Sequence, residues 1–455
     1  MRTKSFNHLE SILISSDRKS VFEKWILPIA FCAGLALSAT SASAQSNPRF
    51  VPLGAAKGAL YVPDTGPAPH VAFLAVHRTG NFMTHVSTAE LPKRGFMVLG
   101  MNPRFDNNEA AVNWEDIALD VRAGVRYLRA QPGITTVILI GHSGGGPTTS
   151  YYQAVAENGP AYCQGANKLV ECDSSRLAGF AAADKADGII FMDAHPGNTI
   201  NTLRSLNPSV KKEERDSQID KSLDPFSVQN GFNPTGNSVY SQSFQYKYFK
   251  EQSRRMNALI DKALAIRSKM QAGSYVPSDE DSFVVYRDSA RLSDFSTGVH
   301  RGTLSPQKLL KDNGTVQNII VNTVRVPNPG NKETDESFGG AAALTITSFL
   351  SANAIRSTSS LDGIDWCSSN NSTICAVRQI HIPILVTSMQ GHYFIRDGEQ
   401  IFQNSVSADK DFFVIEGATH GLGPCTPCSA QTGISYANAR KNLFDLAASW
   451  ANTRF

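Results

Sequence analysis

Ser143 is the residue whose neighbours most clearly predict chemistry. It is the centre of Gly141-His142-Ser143-Gly144-Gly145, with a glycine two residues away on each side. This spacing is typical of a turn from strand to helix so tight that only glycine avoids a collision there. The strained backbone of such a turn lifts the serine hydroxyl clear of the sheet, where it can attack a carbonyl carbon.

The context of this pentapeptide favours the nucleophile over a simple glycine-rich turn. A short β-branched run at 135–140 precedes it and is typical of a strand buried on both faces. Pro147 follows near the expected helix start, a position that proline tolerates. A dinucleotide-binding loop would need a different glycine spacing in a first βαβ unit, with an acidic residue about twenty positions on, and fits poorly.

The elements around Ser143 predict a parallel α/β sheet. Apolar runs at 70–76, 95–101 and 188–192 have strand length, and an amphipathic helix with Asn113 as its N-cap precedes the 135–140 run. Further strands are expected at 382–388 and 412–415, before a final amphipathic helix. We therefore expect a doubly wound, mostly parallel sheet.

Residues 1–44 have the pattern of a targeting segment. Basic residues precede an apolar run at 25–37, and Ala42-Ser43-Ala44 has the small-residue pattern of a signal-peptidase site. We expect a cleaved secretory signal and a periplasmic or secreted protein; an uncleaved anchor is the alternative. Without this segment the formal net charge falls from +3 to about +1, so we expect no nucleic-acid partner. The apolar run is short for a bilayer and is removed with the signal, so we expect no stable membrane span after cleavage.

The remaining six cysteines fall into three pairs that are close in sequence. In an exported protein an even number of cysteines in local pairs predicts disulfides, here Cys163–Cys172, Cys367–Cys375 and Cys425–Cys428. Reduced, buried cysteines are the alternative. A redox or zinc role for Cys425 and Cys428 is disfavoured because no second ligand pair lies at metal spacing.

Over about residues 50–197 and 377–455 the chain resembles the α/β-hydrolase superfamily. The resemblance implies that His420, in the loop between the last strand and the final helix, is the general base; His392 is its main competitor. It also implies an oxyanion hole formed by the N–H of Gly144 and a backbone donor of the loop His77-Arg78-Thr79-Gly80. Arg78 stands where that family usually has glycine, so the second donor is expected to be Thr79 or Arg78.

The acid of this expected triad is open between three carboxylates. In that family the acid usually lies about three residues beyond a glycine. Counted from Gly391, this position is Phe394, whose side chain cannot act as an acid. Asp193, at the end of the 188–192 strand, matches a placement found in some lipase-like members and is preferred. Glu399 and then Asp397 are the alternatives.

The intervening segment is expected to form a cap. We divide the chain into a signal at 1–44, a core at 45–197 and 377–455, and an inserted, mainly helical cap domain at 198–376, with one long helix from about residue 240 to 271. Its aromatic residues line a substrate pocket or, more simply, pack the cap; His300 and Arg301 have no assigned role.

The expected reaction is hydrolysis of a small-molecule carboxylic ester through an acyl-serine, with no cofactor or metal. Amide, thioester or carbon–carbon bond hydrolysis and acyl transfer would use the same residues. A catalytically silent binding protein on this fold is a further alternative. The acyl group, the alcohol and the oligomeric state are not indicated by any motif.

Overall fold

The computed structural model describes residues 48–214, 218–275, 282–286, 290–330 and 340–455. The expected signal at 1–44 lies outside these residues. Within the described part of the chain, no helix has both the length and the apolar character needed to cross a membrane.

A ten-stranded sheet is the centre of the fold. Its strands are β1 Arg49–Leu53, β2 Ala56–Tyr61, β3 Val71–Val76, β4 Met97–Asn102, β5 Thr136–His142, β6 Gly188–Met192, β8 Gln307–Leu310, β9 Val316–Ile319, β13 Ile384–Met389 and β14 Lys410–Ile415. Outside this sheet, β7 Phe283–Tyr286 pairs with β10 Ala341–Leu344, and β11 Ser357–Ser359 pairs with β12 Gly363–Ile364. The ten strands of the sheet lie in the order β1-β2-β4-β3-β5-β6-β13-β14-β8-β9. The seven strands from β4 to β8 in this order are parallel neighbours, and antiparallel pairs close both edges.

Helices lie on both faces of the sheet and also in the segment inserted after β6. In chain order the helices are α1 Val86–Glu90, α2 Trp114–Arg129, α3 Gly145–Asn158, α4 Ser174–Leu177, α5 Asn198–Ser205, α6 Gln242–Gln271, α7 Leu292–Phe295, α8 Ile346–Ser348, α9 Thr373–Val377, α10 Ile395–Asn404, α11 Thr426–Thr432 and α12 Ala439–Asn452. The expected N-cap of α2 is present, because the Asn113 side chain accepts a hydrogen bond from the backbone N–H of Glu115.

Burial on both faces explains why central strands such as β3 are apolar throughout. In β3, Leu74 packs in the core that includes Val121 of α2, whereas its neighbour Phe73 packs in the core that includes Leu443 of α12. Successive side chains of a strand point to opposite faces, so a strand covered on both faces favours apolar residues at every position. The doubly wound, mostly parallel sheet expected from the sequence is confirmed.

Part of the segment expected to form the cap extends the sheet instead. Strand β8 pairs with β14 in parallel, and β9 returns beside β8 at the edge. The apolar residues at 319–326 predict a strand there, but this prediction is wrong in position, since the observed strand β9 ends at Ile319. The burial pattern explains the error: all four residues of β9 are exposed, so the strand has no apolar alternation to reveal it.

Elsewhere in 198–376 the described residues include one long helix, several short helices and two short strand pairs. The long helix is confirmed as α6, which begins after Ser241, whose side chain accepts from the N–H of Phe244. Along α6, Phe244 and Tyr248 pack in an aromatic cluster with Phe295, and Met256 packs in a second core with Phe349. Packing therefore accounts for these side chains, while Tyr246 is 62% exposed.

The sulfur atoms of the three expected cysteine pairs lie at bonding distance. Disulfides join Cys163 to Cys172, Cys367 to Cys375 and Cys425 to Cys428. Each closes a short loop, of nine, eight and three residues in sequence separation respectively.

Candidate active site

Ser143 occupies the turn between β5 and α3. Its φ is +55°, in the left-handed region that a serine adopts only when its surroundings enforce it. Those surroundings are tight: a β-carbon at Gly141 would lie 2.6 Å from Thr149 Oγ1, and one at Gly145 would overlap the carbonyl oxygen of Val76. The two flanking glycines are therefore a steric requirement of the turn.

His420 lies beside the Ser143 hydroxyl. It follows β14, and its Nε2 is 3.0 Å from Ser143 Oγ. Its Nδ1 is 2.6 Å from Asp193 Oδ2. The imidazole thus lies between a hydroxyl and a carboxylate, the arrangement in which one ring nitrogen can take the serine proton while the other is held by the acid.

Asp193 is held rigidly at the end of β6. Its φ is +44°, its Oδ1 accepts from the N–H of Met389 at 3.0 Å, and its own N–H donates to the carbonyl of Thr387 at 2.7 Å. Burial favours a higher pKa for this carboxyl, but attraction to His392 and His420 outweighs burial and holds the pKa well below its usual range. Asp193 is therefore an anion facing the imidazole of His420.

The other two candidate acids have different partners. Glu399 accepts hydrogen bonds from the N–H groups of Leu304 and Ser305 at 2.6 and 3.0 Å. Asp397 accepts from Arg204 Nη1 at 2.7 Å. Glu399 thus joins α10 to the segment 290–330, and Asp397 joins α10 to α5. The carboxylate that is hydrogen-bonded to His420 is that of Asp193.

His392 shares the Asp193 carboxylate. Its Nδ1 lies 2.7 Å from the same Oδ2, at an angle that makes no satisfactory hydrogen bond, and its ring stacks on His420 with centroids 4.4 Å apart. Burial lowers its pKa, against the opposing effect of Asp193. The ligand atoms of Asp193, His392 and His420 lie within 4.8 Å of one another, close enough to hold a metal ion. The hydrogen bonds from Ser143 through His420 to Asp193 explain the positions of His420 and Asp193 without a metal ion.

Two further histidines orient the loop that carries His420. His142 Nε2 is 2.8 Å from the carbonyl oxygen of His420, and His142 Nδ1 is 3.0 Å from His85 Nε2. Burial lowers the pKa of both rings, to about 4 for His85, so each carries one proton at neutral pH. Since the His420 carbonyl can only accept, His142 is protonated on Nε2 and accepts on Nδ1 from His85.

The loop after β3 has an unexpected conformation. The N–H groups of Thr79 and Gly80 donate to the His77 ring at Nδ1, at 3.1 and 2.7 Å. The Arg78 guanidinium and the His77 ring lie against the nucleophile turn. They are so close to it that a β-carbon at Gly144 would overlap both Arg78 Nη1 and His77 Nε2. The Thr79 N–H, one of the two expected oxyanion donors of this loop, is thus directed at a side chain. No sequence motif predicted that the side chains of His77 and Arg78 lie against Gly144.

The two cap residues without an assigned role lie in different environments. His300 is partly buried, with a φ of +52°, and its Nε2 has no hydrogen-bond partner. Arg301 is exposed. It lines a depression of about 460 Å³ with Arg325 and with polar residues that include Gln431 of α11.

One cavity lies away from the Ser143 side chain. It has a volume of about 820 Å³ and lies where α2 and α3 meet the loop closed by the Cys163–Cys172 disulfide. Trp114, Lys168 and Arg267 are among its lining residues. The chemistry of the site therefore rests on the side chains around Ser143 rather than on this cavity.

No protein-family model matches the chain, and no curated protein sequence matches it. Solved structures that match include a proline iminopeptidase from Mycobacterium smegmatis (11% identical, covering 90% of this chain and 98% of that chain, TM-score 0.37). They also include a soluble variant of the monoglyceride lipase from Saccharomyces cerevisiae (12%, 90% and 96%, 0.38) and Est1E from Butyrivibrio proteoclasticus (9%, 89% and 100%, 0.35). These matches indicate no substrate for this chain.

Proposed function

We propose that the protein is a serine hydrolase that cleaves carboxylic esters through an acyl-serine intermediate. The observation that carries the proposal is the continuous chain from Ser143 Oγ to His420 Nε2 at 3.0 Å and from His420 Nδ1 to Asp193 Oδ2 at 2.6 Å. The left-handed backbone of Ser143 supports it, since strain of this kind concentrates at functional sites.

In the proposed reaction His420 acts as base and then as acid. As Ser143 Oγ attacks the ester carbonyl carbon, its proton passes to His420 Nε2, and Asp193 stabilises the resulting imidazolium. The proton then goes to the departing alkoxide, leaving an alcohol and an acyl-serine. A water molecule attacks the acyl carbon by the same route, which releases the carboxylic acid and restores the serine hydroxyl.

A fluorophosphonate probe tests the nucleophile, because it reacts only with an activated serine. We expect the wild-type protein to be labelled at Ser143, and both Ser143→Ala and His420→Asn to lose the label. Labelling that persists in Ser143→Ala would contradict the proposal. An unlabelled wild type would instead support a binding protein on this fold.

The substrate class is tested with matched acyl compounds. Hydrolysis rates for nitrophenyl esters of increasing acyl length, compared with anilides and thioesters of the same acyl groups, separate esterase from amidase and thioesterase activity. We expect the esters to be hydrolysed fastest, with the preferred acyl group set by residues 198–376. Amides hydrolysed faster than the matched esters would contradict the ester assignment.

We further propose that the chain is exported and cleaved after Ala44. The small-residue pattern at 42–44 and the three cysteine pairs at bonding distance support this. The mass of the protein recovered from outside the cytoplasm is the test. We expect a form that begins at Gln45, and a full-length form anchored in the membrane would contradict cleavage.

A further inference from the structure

Two side-chain nitrogens meet beside the residue that follows the nucleophile. His77 Nε2 and Arg78 Nη1 are 3.5 Å apart, and both occupy the space that a side chain at Gly144 would need. Glycine at 144 is therefore required for a reason separate from the turn itself.

The proton on His77 can be assigned from its partners. Its Nδ1 accepts two hydrogen bonds, from the N–H of Thr79 at 3.1 Å and of Gly80 at 2.7 Å, so Nδ1 carries no proton. Burial, and next the charge of Arg78, lower the pKa of this imidazole well below its usual value. The neutral ring must then carry its single proton on Nε2.

The Arg78 guanidinium is locked in place by Glu109. Its Nε and Nη2 donate to the two carboxylate oxygens at 3.1 and 2.7 Å, a bidentate pair that leaves Nη1 turned toward His77. A guanidinium nitrogen can only donate, and the protonated Nε2 of His77 can only donate as well. Their contact at 3.5 Å is thus not a hydrogen bond but two donors brought together with no acceptor between them.

Two fixed donors that converge beside a nucleophile are an arrangement suited to an oxygen atom that gains negative charge. We propose that His77 Nε2–H and Arg78 Nη1–H, together with the N–H of Gly144, form the oxyanion hole of this protein. The hole is thus built largely from side chains, since the N–H groups of Thr79 and Gly80 are already used by His77.

This inference rests on the proposed hydrolase function and concerns the oxygen of the tetrahedral intermediate formed on Ser143. As Ser143 Oγ bonds to the carbonyl carbon, the C=O electron pair moves onto oxygen. The two donors stabilise that charge until the carbonyl re-forms and the alcohol leaves. Donors held in advance by the Thr79, Gly80 and Glu109 contacts need no reorganisation during the reaction.

A pair of His77 variants separates a catalytic role from a structural one. In His77→Asn the amide oxygen can replace Nδ1 as acceptor for the loop N–H groups, but the Nε2–H donor is lost. In His77→Gln the amide nitrogen can replace the Nε2–H donor, but the loop acceptor is lost. Arg78→Lys keeps the positive charge for Glu109 and removes the forked Nη1–H.

The measurements are kcat, KM and inhibition by an alkyl boronic acid, which forms a tetrahedral adduct with serine. For His77→Asn and Arg78→Lys we expect kcat to fall about 10²–10³-fold, boronate affinity to fall in parallel, and KM to stay within a few-fold of wild type. His77→Gln should keep more activity than His77→Asn.

The inference is overturned if the wild type is active and His77→Asn matches it in kcat and boronate affinity while His77→Gln is the damaged variant, since that order indicates loop support alone. Unchanged kcat in Arg78→Lys would remove Arg78 from the hole. Failure of the proposed function is distinguishable, because the wild type itself would then neither hydrolyse esters nor bind the boronate.

Discussion

Asp193 is the carboxylate that contacts both His420 and His392. Its Oδ2 lies 2.6 Å from His420 Nδ1 and 2.7 Å from His392 Nδ1, and its side chain is completely buried. A buried carboxylate is costly unless it is paired, and the two imidazoles and the Met389 N–H provide the compensating interactions. Because this carboxylate accepts from both His420 and the Met389 N–H, its removal should affect more than one hydrogen bond.

The proposed acid is tested by comparing Asp193→Asn with Glu399→Gln on a nitrophenyl ester. We expect Asp193→Asn to lower kcat about 10⁴-fold, because the amide favours the wrong tautomer of His420. Glu399→Gln should retain near wild-type kcat, since Glu399 bonds to the backbone at 304–305. Loss of turnover in the Glu399 variant alone would reassign the acid.

Matched substitutions distinguish the roles of the two histidines that contact Asp193. His420→Asn should abolish turnover, because His420 Nε2 contacts Ser143 Oγ at 3.0 Å. His392→Asn should keep kcat within about tenfold of wild type, since His392 touches the acid and not the nucleophile. The kinetic constants of both variants are the measurement, and equal losses would contradict the assignment of His420 as the base.

At the scale of elements, the site depends on loops that follow parallel strands. Ser143 follows β5, Asp193 follows β6 and His420 follows β14. The carboxyl ends of parallel strands meet at one edge of the sheet, so residues distant in sequence come together there. The strand lengths and the turns after them thus set the distances in the site.

The first disulfide should stabilise the loop between α3 and α4. Chain-entropy arguments give about 2–3 kcal/mol for a loop of roughly ten residues, close to the separation of nine between Cys163 and Cys172. We expect the double variant Cys163→Ser/Cys172→Ser to lose about that much free energy of unfolding. Urea unfolding measures it.

The Cys425–Cys428 pair is the control for the disulfide prediction. It spans only three residues, so in the same entropy model its removal should cost less, about 2 kcal/mol. A larger loss for the three-residue loop than for the nine-residue loop would show that native contacts, rather than loop closure, control the effect.

For the whole molecule, buried histidines should make stability fall in mild acid. Burial lowers the pKa of His85 from about 6.5 to about 4. Between these values the unfolded chain takes up a proton that the folded chain does not, so the free energy of unfolding decreases as the pH falls from 6.5 to 4. For His85 alone the loss is on the order of 3 kcal/mol.

Unfolding in urea at pH 7 and pH 5 measures this effect. We expect wild type to be less stable at pH 5, and His85→Asn, which keeps an acceptor for the Ser87 N–H, to show a smaller difference between the two pH values. His77, His142 and His195 act in the same direction, since burial lowers their pKa as well. Equal wild-type stability at pH 7 and pH 5 would contradict the prediction.

The sequence by itself determined the parts of the fold whose causes are local or periodic. Apolar runs predicted central strands such as 188–192, because a strand buried on both faces favours apolar residues at every position. The Gly-x-Ser-x-Gly spacing predicted the turn at Ser143, since only glycine fits beside it. The N-cap of α2 followed from Asn113 and the residues after it.

The tertiary structure alone decided which side chains meet. Asp193, Glu399 and Asp397 were all acceptable acids in sequence, and only the packing of β6 beside β13 brings Asp193 to His420. Strand β8 joins the sheet by pairing with β14, and β9 joins it by pairing with β8. The residues of β9 are all exposed, so no apolar pattern predicts this strand. The return of His77 and Arg78 over Gly144 likewise depends on contacts between segments more than sixty residues apart in sequence, for which a local pattern contains no signal.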